Sequence, residues 1–564
     1  MNTELFTVGL ILVLSFILAY PLGQYICRVY QGKKVWSDFL NPLETAIFRL
    51  SGIDIQQAMD WKENMKAMLR LNGIFFLWAM LILLTQGSLP GNPALITSME
   101  PTLAFNTAIS FVTNTNLQHY SGEVGLSYIS QLLVICFLQF VSAATGIAVL
   151  ALLFKGLVQH RDSDLGNFYH LFVKSGTRIL LPLAFGVAFL LLLTGIPVTW
   201  EGPQTISTLE GASMTVATGP VAPVVAIKQL GTNGGGYFGP NSTHPFENPN
   251  YWSNVIENIA ILILPIAFIF AFGFYIQQPK VAWVFLAVMS AFFFTFVGCC
   301  VYFEMAGNPQ LDRLGISQFM GNMEGKEVRF GAAASALWGV STTSTSNGSV
   351  NSMHDSQMPL SGGIYLLDMM INAIYGGVGV GFINFFLFVL LTVFISGLMV
   401  GRTPELLGKK IEAREVKIAV LVVLLHPFLI LVGTALSAFV ATNDPQIGWL
   451  NNPGFHGFSE MLYEFTSASS NNGSGFEGLG DNTPFWNILT GFVMFLGRFL
   501  PIIGPIAIAG SLASKKKTPP SEGTLKIDTL AFGIVLFGVL LIISALSFFP
   551  ALTLGPIAEY VSFK

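Results

Sequence analysis

Charge is scarce in this sequence. Lys, Arg, Asp and Glu together make up 10% of 564 residues, against 52% hydrophobic residues. Soluble domains carry about 25% charged residues, so a water-soluble globule is excluded on composition. Cysteine is nearly missing. The four present (Cys27, Cys136, Cys299 and Cys300) lie in or at the end of apolar runs without CxxC spacing, which leaves no basis for a disulfide framework or a thiolate metal centre. Phosphate chemistry is missing too. Neither a GxxxxGK[ST] loop nor an Asp-Lys-Thr-Gly phosphorylation string occurs, so any energy from ATP has to come through a partner. HExxH and GxSxG are also absent, and no hydrolytic site is expected.

What is there is apolar length. The mean hydropathy is +0.64, and roughly 20 apolar residues span a bilayer as a helix. Stretches of that kind fall near 5–26, 66–85, 126–154, 176–196, 252–275, 281–303, 366–400, 416–441, 485–513 and 527–549. Ten crossings are predicted, the 366–400 span being unusually long and rich in glycine. The first lacks a basic leader and a small-residue cleavage pattern, so it is expected to be retained. With the amino terminus outside, alternating loops place twenty-one Lys and Arg inside and five (Lys228, Arg313, Lys326, Arg329 and Lys564) outside. The positive-inside rule fixes that orientation.

Four polar stretches recur at equivalent places: "VTNTNLQHYSGE" (112–123), "LGTNGGGYFGPN" (230–241), "STSNGSVN" (344–351) and "SASSNNGSGFEG" (467–478). Aligned on one asparagine, they place Asn116, Asn233, Asn347 and Asn472 in register, with intervals of 117, 114 and 125 residues. Each follows an apolar segment too short to cross a bilayer: Pro101–Val112, Ala212–Leu230, Gly331–Val340 and Ser459–Phe465. Each also lies on the side poor in Lys and Arg. A repeat this long contains whole helical hairpins. The expected fold is therefore an all-α membrane protein whose ten transmembrane helices include four units of helix, pore helix, filter loop and helix around a central pore. Boundaries follow at 1–60 (N-terminal helix and cytoplasmic loop), 61–170, 171–279, 280–414 and 415–515 (four pore repeats) and 516–564 (C-terminal helix).

Non-helical backbone at membrane depth is tolerated only where it lines a cavity or is enclosed in protein. Four such loops around one axis would aim carbonyl and hydroxyl oxygens inward and replace the hydration shell of a monovalent cation. The half helices would direct their carboxyl ends, with roughly half a negative charge each, to the same centre. Outer-loop acids (Glu100, Glu123, Glu201, Glu210, Glu247, Glu464, Glu477 and Asp481) would add an attracting field. The absence of charge within the loops suits potassium better than a divalent ion, which recruits carboxylates. The candidate ligands are Asn114, Thr115, Asn116, Leu117 and Gln118; Gly231, Thr232, Asn233, Gly234 and Gly235; Thr345, Ser346, Asn347, Gly348 and Ser349; and Ser470, Asn471, Asn472, Gly473 and Ser474. Gln118 either adds an amide oxygen at an ion site or packs against a neighbouring loop.

This plan resembles the potassium transporter superfamily that includes Trk, Ktr and HKT proteins. The loop wording "TNTNLQ", "GTNGGG", "TSTSNGS" and "SSNNGS", with one extra helix at each end, is similar to the KdpA family, the potassium-binding subunits of the bacterial Kdp ATPase. The resemblance implies K+ as the transported ion, no nucleotide on this chain and residence in the bacterial inner membrane. It implies partners like KdpB (a P-type ATPase), KdpC and KdpF, with no nucleic acid. It also implies that K+ is selected at the four loops and passed sideways to the ATPase. A stand-alone Trk- or HKT-like transporter or channel is the alternative, and co-purification of an ATPase separates the two.

Two further features concern the path below the loops. Arg498 lies mid-span, where a bare cation costs about 2.5–3.5 kcal/mol on insertion scales. It is expected either to raise a barrier against K+ passing straight down or to pair with an acidic neighbour. Gly376, Gly377, Gly379 and Gly381 each weaken a helix by nearly 1 kcal/mol relative to alanine. They serve close helix packing, or they mark a break that forms a gating loop.

Overall fold

The computed structural model describes residues 3–399, 401, 403–444, 446–517 and 526–563. Arg402 and Lys564, counted above in the charge asymmetry, lie outside the described residues. Among the described residues, ten helices are long and apolar enough to cross a membrane: Thr3–Tyr30, Trp61–Ser88, Tyr128–Val158, Phe168–Leu193, Tyr251–Tyr275, Pro279–Arg313, Val380–Met399, Ala413–Asn443, Pro484–Ala513 and Leu530–Ser562. Several start one or two turns before the apolar run because polar caps set the start. Asp60 accepts from the amide of Glu63 at 2.8 Å while Glu63 accepts from the amide of Asp60 at 2.9 Å. That reciprocal box opens the second span five residues before its apolar stretch.

Four half helices are present: Pro101–Val112, Val221–Leu230, Ala332–Ser344 and Phe455–Ser470. Each rests between the helices that flank it in sequence. The first packs on the second and third spans, the second on the fourth and fifth. The third packs on Pro279–Ala306 and Pro359–Ile371, and the fourth on Ala413–Asn443 and Pro484–Ala513. Pro484–Ala513 also packs along the first half helix, so the last unit meets the first.

Three expectations need correction. The second half helix is shorter than 212–230, because Ser213–Val216 pairs with Gln204–Ser207 as an exposed antiparallel hairpin. Pro223 does not interrupt what remains, since it sits in the first turn, where no intrahelical partner for its nitrogen is needed. The fourth half helix begins at Phe455 and ends at Ser470, longer at both ends than expected. The long 366–400 span is two helices, Pro359–Ile371 and Val380–Met399, separated by a turn.

That turn is the break the glycines suggested. Asn372, Tyr375, Gly376 and Gly379 all have positive φ, between 47° and 80°. A side chain on Gly376 or Gly381 would run into the backbone of the other, and one on Gly379 would strike the carbonyl of Gly146. These residues leave the helical region, so the helix ends at Ile371 and a new one starts at Val380.

Candidate ion-binding site

Each half helix ends in a buried, uncharged loop, and all four loops share one backbone signature. A residue with positive φ is followed two places later by another: Asn114 and Asn116, Thr232 and Gly234, Ser346 and Gly348, Asn471 and Gly473. The residue between them donates its amide to the carbonyl five places back in every copy. Thr115 reaches Ser110 at 2.9 Å, Asn233 reaches Lys228 at 2.8 Å, Asn347 reaches Thr342 at 2.9 Å and Asn472 reaches Ser467 at 2.9 Å.

The structural register therefore differs from the sequence register in the first loop. Thr115, not Asn116, is the counterpart of Asn233, Asn347 and Asn472. Asn116 occupies the place held elsewhere by glycine. Asparagine is one of the few residues that tolerate the left-handed region. The first loop runs from Thr113 to Leu117, which adds Thr113 and leaves Gln118 outside. Gln118 packs on the neighbouring loop, accepting from the amide of Gly236 at 2.8 Å and donating to its carbonyl at 3.1 Å.

The loops close on one another in a ring. A Cβ on Gly234 would strike the carbonyl oxygen of Asn347, one on Gly348 that of Asn472, and one on Gly473 that of Thr115. Amides bridge the same junctions. Asn114 donates to the carbonyl of Thr232 at 2.8 Å, Asn347 to that of Lys228 at 3.1 Å and Asn472 to that of Thr342 at 2.8 Å. Asn471 completes the circuit by donating to Thr115 Oγ1 at 2.9 Å.

Among the described residues, nothing donates to the carbonyls of Thr115, Asn233, Asn347 or Asn472. By contrast, the carbonyls two residues further on are taken in three of the four loops. Leu117 accepts from Ser110, Gly235 from Gln139 and Ser349 from Trp338, each at 2.9 Å. Four buried, unpartnered carbonyls at equivalent places in a ring are ready acceptors for a desolvated cation.

A polar scaffold holds the ring from behind. Asp368, in the helix before the break, accepts from Thr343 at 2.7 Å and Ser344 at 2.6 Å. Gln229 accepts from Ser349 at 2.9 Å and donates to Glu257 at 2.7 Å. Lys228, counted above as an outer cation, is fully buried and paired with the equally buried Glu247. Glu247 therefore contributes little to an outer attracting field. Glu100 caps the first half helix through the amide of Leu103 at 2.9 Å.

The broken span touches the inner edge of the ring. Gly376 donates to the carbonyl of Ser344 at 2.7 Å, and the amide of Val378 donates to Thr232 Oγ1 at 2.8 Å. Gly146 joins this segment to Arg498. A Cβ there would strike the carbonyl of Val378 and would lie 3.2 Å from a guanidinium nitrogen of Arg498. Arg498 is 3% exposed, and that nitrogen has no hydrogen-bond partner. Among the described residues no carboxylate pairs with it, so the ion-pair reading has no support.

Sequence reasoning missed Thr113, the register of the first loop, and the bonds of Asp368 and Val378 to the ring. Residue type does not give the register: Thr232 and Ser346 hold the first positive-φ place in two loops, and that place lies two residues past the half helix in three copies and one in the fourth.

The chain is 57% identical to the potassium-transporting ATPase potassium-binding subunit of Flavobacterium psychrophilum, over 100% of both chains. It is 55% identical to that of Parabacteroides distasonis, again over 100% of both. It is 51% identical to that of Alicyclobacillus acidocaldarius, over 96% of both. The potassium transporter TrkH of Vibrio parahaemolyticus shares the fold, with a TM-score of 0.53 at 15% identity over 89% of this chain and 98% of that one. Residues 9–561 match the family described as potassium-transporting ATPase A subunit, and the chain belongs to that family, KdpA, whose members are the transporter subunit rather than the catalytic one.

Proposed function

We propose that this chain is the potassium-selective, translocating subunit of an ATP-driven K+ uptake complex in a bacterial inner membrane. Its amino terminus and loop ring face outward. The ring formed by Thr113–Leu117, Gly231–Gly235, Thr345–Ser349 and Ser470–Ser474 takes K+ from outside and strips its water. The observation that carries this reading is the closed ring of unpartnered carbonyls, since neutral oxygens in a fixed cage suit a weakly hydrated monovalent ion.

Below the ring, the 372–379 turn and Arg498 obstruct the straight path. The uncompensated guanidinium repels a cation arriving from above, so K+ leaves sideways, toward a KdpB-like P-type ATPase subunit. KdpC-like and KdpF-like subunits complete the complex. Hydrolysis belongs to the partner.

Purification in mild detergent tests this directly. An ATPase should co-purify, and its turnover should rise with K+ but not with equal Na+. A chain that purifies alone and conducts K+ down its gradient would overturn the reading.

A further inference from the structure

A second cluster of oxygen ligands lies beside the ring and is not used by it. Asp355, in the segment after the third loop, and Glu460, in the fourth half helix, converge on Gly478. A Cβ on Gly478 would strike Glu460 Oε1 and lie 2.8 Å from Asp355 Oδ2. Asn452 spans the two carboxylates, its amide 3.0 Å from Glu460 Oε1 and 3.4 Å from Asp355 Oδ2. Glu477 approaches from the loop after the fourth filter segment, accepting from the amide of Asp355 at 3.3 Å. Glu559, near the carboxyl terminus, reaches the cluster through His456.

The charges do not balance. Among the described residues, Asp355, Glu460 and Glu559 share one basic neighbour, His456, whose two ring nitrogens face Asp355 at 2.9 Å and Glu559 at 2.9 Å. Burial disfavours charge on that imidazole, but the two carboxylates outweigh it and raise it to about 10. Glu460 is fully buried, and its Oε2 has no partner at all. A buried carboxylate oxygen left bare needs a proton or a cation.

We propose that Asp355 and Glu460 bind a hard divalent cation of the Ca2+ type. One ligand atom each from Asp355, His456 and Glu460 lies within 4.8 Å of the others, which an ion bonded at about 2.3–2.6 Å can bridge. Both His456 nitrogens donate to carboxylates, so the imidazole remains outside the shell. An all-oxygen set selects a hard ion over zinc.

The site is wired to the ring. His354, next to Asp355, bonds Tyr463 at 2.9 Å, Tyr463 bonds Ser474 at 2.8 Å, and Ser474 donates to Asn472 at 2.5 Å.

Mn2+ serves as the probe, its EPR signal titrated against the protein purified in detergent without nucleotide. The wild type should bind one Mn2+ that Ca2+ displaces, and both Glu460→Gln and Asp355→Asn should weaken that site at least about tenfold. Unaltered Mn2+ affinity in both variants, or no saturable Mn2+ binding below about 1 mM in the wild type, would overturn the proposal. Should either variant fail to fold, the wild-type melting temperature decides the matter: it should rise with millimolar Ca2+ added, and no rise would sink the site.

Discussion

Gly473 lies so close to Thr115 that no side chain fits between its Cα and the Thr115 carbonyl. This contact joins the last loop to the first and closes the ring. Gly473 also has a φ of 103°, which L side chains rarely adopt. In Gly473→Ala the added methyl meets backbone, which cannot swing aside. Strain of this kind costs of order 1–3 kcal/mol, so K+ affinity should fall at least about fivefold. Titrating the K+-dependent rise in melting temperature measures it. Unchanged affinity would remove Gly473 from the ion path.

Asn116 should behave as a substitute glycine. Its φ is 61°, and both polar atoms of its amide are buried without partners. Asn116→Gly removes two unsatisfied groups, each worth about 1–3 kcal/mol, and suits the backbone. Asn116→Ala removes the same groups but holds alanine in the left-handed region at about 1–2 kcal/mol. The glycine variant should therefore melt above the alanine variant and keep K+ binding. The reverse order would restore the sequence register, with Asn116 aligned on Asn233.

These two positions mark what the sequence made legible. Apolar length and half-length segments gave the spans and half helices, because burial in lipid constrains every residue along them. The loops were found by composition. Register within a loop was not, because it depends on φ rather than residue type, and asparagine stands at both kinds of position. The break at 372–379 stayed ambiguous since glycine serves packing and turning alike; the positive φ of Asn372, Tyr375, Gly376 and Gly379 separates the two. The hairpin at 204–216 left no trace in the hydropathy.

Arg498→Met tests the barrier. The side chain is buried and one guanidinium nitrogen is bare, so methionine fills similar space without the charge. If the charge contributes even about 1.4 kcal/mol to the barrier, passive K+ efflux should rise tenfold. Efflux from K+-loaded vesicles without ATP is the measurement. Leak equal to wild type, with coupled uptake intact, would deny Arg498 any part in blocking the straight path.

His119 ties the outer end of the first loop to the fourth half helix, and it makes the protein sensitive to alkali. One ring nitrogen faces Asn487 at 2.7 Å, the other faces Glu464 at 3.1 Å, and Asp481 lies 3.9 Å away. Burial disfavours its charge, yet Asp481 and Glu464 prevail and raise the imidazole from 6.5 to about 9. A raised folded value means that protonation stabilises the fold. That contribution is complete below about pH 6.5, the unfolded value, and is lost as pH climbs through 9. Melting temperature should accordingly fall between pH 7 and pH 10, and His119→Gln should flatten part of that slope. His456, raised to about 10, accounts for a further part, so His119→Gln with His456→Gln should flatten it more than either alone. A slope untouched by both substitutions would place the alkaline sensitivity elsewhere.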